Sequence, residues 1–138
     1  MSFARAVLSR LVLAALLVFA LLAPGRADEL ADFHAAVEHA AVEYRMLTAT
    51  LATRGQEETA AAVHRFRQAW QAINERFGKD RPAAFADDEQ YGAMLTLVDA
   101  RLVGVLLVID MGNRDAARDA LAPIRETLAR LAVRSAPR

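Results

Sequence analysis

LADFHAAVEHAAVEYRMLTATL, residues 30–51, carries an apolar side chain at Leu30, Phe33, Val37, Ala40, Tyr44, Leu47 and Leu51, with mostly polar or small residues between. Steps of three and four keep those positions on one stripe of an α-helix, which turns once every ~3.6 residues. A half-buried strand would alternate with period two, and this stretch does not. Three further blocks repeat the pattern. One holds Val63, Phe66, Trp70, Ile73 and Phe77, and the next Tyr91, Leu95, Val98, Leu102, Val105 and Ile109. The last holds Ala117, Leu121, Ile124, Leu128 and Leu131. Alanine, the best intrinsic helix former, occupies many of the intervening positions. The blocks predict helices over about 29–53, 56–77, 88–111 and 114–134.

The punctuation between blocks points the same way. Gly55 is expected to end the first helix as a left-handed C-cap, with Glu57 and Glu58 in the first turn of the next, where the helix dipole favours acids. Gly78 closes the second block, and the loop 79–86 contains Pro82 and a Phe85 expected to fold back onto the bundle end. Asp87, with Gln90 three residues on, reads as a capping box for the third helix. Gly112-Asn113 supplies a C-cap and an N-cap in one short corner. Pro123 removes a backbone donor inside the fourth block and should kink it. Corners this short imply antiparallel neighbours, so the expected fold is an all-α, up-down-up-down four-helix bundle. A shift of 58 residues lays Phe33 on Tyr91, Tyr44 on Leu102 and Trp70 on Leu128, so the bundle reads as two similar hairpins.

The N-terminus has another character. Arg5 and Arg10 precede the uncharged run Leu11–Leu22, followed by Pro24-Gly25 and by small residues at Gly25 and Ala27. This is the layout of a cleavable secretory signal over residues 1–27, and the run is shorter than the ~20 residues that span a bilayer. The expectation is export to the periplasm with no stable membrane anchor afterwards. Cleavage after Ala27 leaves 111 residues with 14 basic and 17 acidic side chains, a net charge of −3. A mildly acidic domain of interspersed charge has no footprint for nucleic acid. There is no cysteine, so packing alone must stabilise it.

Few residues carry chemistry. His39, Glu43 and Met46 lie on one stripe of the first helix, and pairing about Gly55 brings His64 level with them. Such a set suits copper, iron or zinc, although all four flank the inward seam. His34 adjoins the seam near the bundle end. No nucleophile sits in a recognisable motif and no Gly-rich phosphate loop is present, so no enzyme is expected. Asp99, Arg101 and Asp110 read as ion pairs or rim charges. The most unusual segment is Leu102-Val103-Gly104-Val105-Leu106-Leu107-Val108-Ile109, eight apolar residues in succession. A bundle helix needs an apolar stripe of only about 100°. Val103, Leu106 and Leu107 are therefore expected to point away from the inner seam, with Gly104 allowing close approach of a neighbour.

The signal-like leader, about 110 following residues, four amphipathic helices and a Gly-led corner before the last helix resemble the periplasmic bundle cytochromes, the haem-b type and cytochromes c′. The resemblance implies a bundle fold and a periplasmic location. In the haem-b group it would place an axial ligand at His34. The partner ligand of that group lies in the last helix, where Ile124–Leu131 offers neither His nor Met. Cytochromes c′ attach haem through Cys-x-x-Cys-His, and this chain has no Cys. The resemblance therefore stops at fold and compartment. The expected function is binding without catalysis, through Val103, Gly104, Leu106 and Leu107, to a protein partner or a second copy. The alternative is a copper-, iron- or haem-handling bundle using His34, His39, Glu43, Met46 and His64.

Overall fold

The computed structural model describes residues 25–138; residues 1–24, and with them most of the expected signal segment, lie outside the described residues. The described chain is all-helical: α1 (Arg26–Thr53), α2 (Gln56–Phe77), α3 (Tyr91–Asp110) and α4 (Arg114–Ser135), with one 3-10 turn at Ala83–Phe85 and no strand among the described residues. Each helix packs on two others around a ring, α1 against α2 and α4, and α3 against α2 and α4.

The seams predicted from periodicity form the core. Phe33, Val37, Ala40, Leu47, Val63, Phe66, Trp70 and Ile73 are buried with Val98, Leu102, Val105, Ile124 and Leu131. Full burial of one large apolar side chain stabilises by about 1.5–3 kcal/mol relative to exposure. The buried polar handles find backbone partners: Trp70 Nε1 donates to the Leu95 carbonyl at 3.4 Å, and Tyr44 Oη to that of Leu121 at 3.0 Å. Tyr91 Oη donates to the Phe77 carbonyl at 2.9 Å. Burial raises the phenol of Tyr91 to about 12 against the opposing pull of the Arg81 guanidinium.

The two ends close differently. At one end Phe85 is fully buried and packs edge-on to Phe33, with ring centroids 5.3 Å apart, while the Arg134 guanidinium lies 4.9 Å above its ring. At the other end Gly112 takes φ +74° and closes α3 as a Schellman cap, with Asn113 N–H on the Val108 carbonyl at 2.9 Å. The Asn113 side chain then caps α4 by accepting from the Ala116 N–H at 3.0 Å.

Three local expectations are corrected. Gly55 is not left-handed: it is extended (φ −74°, ψ 176°) and begins α2, its carbonyl accepting from Thr59. A left-handed cap is unnecessary because Arg114, from α4, donates to the carbonyls of Leu51 (2.8 Å) and Arg54 at the end of α1. α3 starts at Tyr91, three residues later than predicted, with Gln90 at its N-cap and no side-chain cap. Asp88 rather than Asp87 shapes the preceding turn, its Oδ1 accepting from the Gln90 N–H at 2.9 Å. Asp88 is buried; Arg130 and Arg134 of α4 hold its carboxylate, and Arg81 donates to its carbonyl at 2.9 Å. These contacts keep residues 88–90 in a turn. α4 continues through Pro123.

Candidate functional site

α3 carries two apolar seams. The inner one, Tyr91, Leu95, Val98, Leu102, Val105 and Ile109, is buried. A second series with the same four-three spacing, Ala93, Leu97, Ala100, Gly104, Leu107 and Met111, is exposed at every position. The two series are offset by two residues, about 200° around a helix of ~100° per residue, so they occupy opposite faces. Leu107 is 62% exposed and Met111 71%, and Val103 beside them is 63% exposed. An added Cβ on Gly104 would meet nothing within 4 Å. The described chain therefore presents an uncovered apolar stripe along the whole of α3.

Of the four residues expected on this face, Val103, Gly104 and Leu107 lie on it. Leu106 does not: it is half-buried and packs against the core, its position rotating it toward α2. There it lines, with Leu107 and Ala60, an open groove of about 730 Å³ between α2 and α3 whose polar rim includes Glu57 and Asp110. Ala93, Leu97, Ala100 and Met111 extend the stripe beyond the predicted run. Their signal is the four-three spacing itself, which is easily passed over when half its members are Ala or Gly. α3 is also the one helix among the described residues long and apolar enough, by length and composition, to cross a membrane. Its inner half is core, and a core helix passes that measure too.

The polar residues singled out by sequence are dispersed. His34 is half-buried, its Nδ1 2.9 Å from Ser135 Oγ. The Ser135 hydroxyl also donates to the Leu131 carbonyl at 2.8 Å, so one serine links the His34 ring to the backbone of α4. His39, Met46 and His64 are exposed. Glu43 pairs with Arg65 at 3.7 Å and leaves Oε2 buried without a hydrogen bond. Among the described residues no three His, Cys, Asp or Glu side chains gather as metal ligands. Asp99 accepts from Asn74 Nδ2 at 2.8 Å, tying α3 to α2, and Gln56 caps the backbone carbonyl of Asp110 at 2.9 Å.

Neither a scan of protein-family models nor searches of curated proteins and of solved structures found a match to this chain.

Proposed function

We propose that this chain is a non-enzymatic, exported helical bundle that works by docking a protein on the outer face of α3. The observation that carries the reading is the exposed seam Ala93–Met111. Bundle helices pack by inserting side chains at such spacing into a neighbour's holes, and here no neighbour covers them. An uncovered apolar strip of this kind marks an interaction surface more often than solvent-facing decoration. The occupant is a helix with a matching seam, in the simplest case α3 of a second copy.

The antiparallel, up-down-up-down order belongs to the same reading. Its support is the register between α1 and α4, where His34 meets Ser135, Tyr44 meets Leu121, and Leu51 meets Arg114, numbers rising on one helix as they fall on the other. Export with cleavage after Ala27 is supported by what the cut would spare. Gly25, Arg26 and Ala27 are exposed, and the first fully buried side chain of α1 is Phe33, so among the described residues the cut removes no buried side chain.

Sedimentation of the purified protein tests the docking reading. Association above the monomer mass is expected, and Leu107→Glu should abolish it without lowering the melting temperature. A protein that stays monomeric and binds no helical partner would sink the reading. Co-sedimentation with lipid vesicles that survives Leu107→Glu would replace it with a membrane role.

A further inference from the structure

A second concave surface lies between α1 and α4, across the ring of helices from the groove between α2 and α3. Two grooves run end to end between α1 and α4, of about 350 and 310 Å³, and share Tyr44, Arg45 and Arg125 as their common wall. The first is cationic: Arg45, Arg118 and Arg125 line it together with Thr48. The second is apolar, floored by Ala41, Leu128, Ala129 and Ala132, with Glu38 on its rim. Small residues on both helices keep this channel from filling with the protein's own side chains.

The arginines decide what fits. Among the described residues neither Arg45 nor Arg125 has a carboxylate partner within salt-bridge distance, and Arg118 has only the exposed Asp115 of its own helix at 3.0 Å. The neighbouring hydroxyls are already used, Tyr44 Oη donating to Leu121 and Thr48 Oγ1 to the Arg45 carbonyl at 2.9 Å. The donors left for a ligand are therefore guanidinium groups, whose planar fork matches a carboxylate or a sulfate. Three arginines gathered from two helices at the mouth of an apolar channel select a negative head and a greasy tail. From Arg125 to Ala132 the helix rises about 10 Å, the run available to an alkyl chain.

We propose that the α1–α4 groove binds a linear amphiphile with a single anionic head, the head held by Arg45, Arg118 and Arg125 and the chain lying over Leu128, Ala129 and Ala132. Glu38 beside the tail end disfavours a second anionic group there, so an α,ω-dicarboxylate of the same length binds less well. This site is separate from the α3 face and stands whether or not that face docks a partner.

Titration of the purified protein with sodium decanoate, followed by amide chemical shifts, tests the assignment. Saturable one-to-one binding is expected, with shifts confined to residues 38–51 and 118–132. The Arg45→Gln/Arg125→Gln double variant should weaken it at least tenfold, because each lost charge-assisted bond is individually worth a sizeable fraction of that factor. Ala129→Phe, which fills the tail channel, should abolish binding while the melting curve shows the bundle still folded. Any of four results overturns the proposal: no binding, equal affinity for 1-decanol, equal affinity for inorganic sulfate, or wild-type affinity in both variants.

Discussion

The two faces of α3 have the same spacing and are both apolar, the outer one with smaller side chains, yet the fold treats them oppositely. Leu102 on the inner seam is 1% exposed, while Leu107 on the outer one is 62% exposed. The inner face works through α2 and α4, which supply Trp70, Ile73, Leu121 and Leu128 to the same core cluster. The outer face has no such counterpart among the described residues. The difference lies in what sits opposite, and it teaches that apolar periodicity marks a surface that wants to be covered without saying by what.

Truncation separates the faces most sharply. Leu102→Ala removes buried methyl groups and leaves a cavity, so it should cost about 3–4 kcal/mol in chemical denaturation. Leu107→Ala, five residues on, removes side-chain surface already in water and should change monomer stability by less than about 0.5 kcal/mol. Equal losses at the two positions would mean that the outer seam is covered within the monomer.

The inner face also has a titration the outer face lacks. Tyr91 begins the inner seam, and its phenol, fully buried, is raised from the ordinary 10 to about 12. The folded state therefore holds this proton more tightly than the unfolded chain does. Stability from this group is fully present below pH 10 and declines as pH rises from 10 to 12. About 2 kcal/mol should be lost across that window. Tyr91→Phe should flatten the decline while lowering stability at neutral pH through loss of the bond to Phe77. An alkaline unfolding curve unchanged by the substitution would assign the loss to other groups.

Much of this was legible in the residues. Four stretches of three-four spacing are enough to place four helices, since a helix must bury one stripe and each block supplies one. Gly112-Asn113 marks its corner because both requirements, a positive φ and a capping side chain, are local. The start of α3 was not legible: nothing near Asp88 in sequence says that Arg130 and Arg134, more than forty residues on, will hold it out of the helix. Gly55 misleads for the same reason, the carbonyls it would have capped being served by Arg114. The run 102–109 points to the outer face but overstates Leu106, because eight successive apolar residues hide which ones rotate inward. The arginines of the α1–α4 groove come from helices about eighty positions apart and had no sequence signal at all.

The smallest expected effect is the most telling about the outer seam. Glycine inside a helix is destabilising by about 0.5–1 kcal/mol relative to alanine, because it loses more backbone freedom on folding. At Gly112 that freedom is needed, since φ is +74° and a side chain there would be strained. Gly104 lies in the middle of α3, and an added Cβ would meet nothing within 4 Å, so the isolated bundle has no use for a glycine there. Gly104→Ala should therefore raise monomer stability by about 0.5–1 kcal/mol in dilute solution. A docked helix changes the balance, because a glycine on the seam lets two backbones approach where a larger side chain holds them apart. If α3 is the docking face, Gly104→Leu should leave the monomer folded and still prevent association in sedimentation. If Gly104→Leu associates as the wild type does, the partner sits elsewhere and the outer face of α3 is only a solvated half of a core helix.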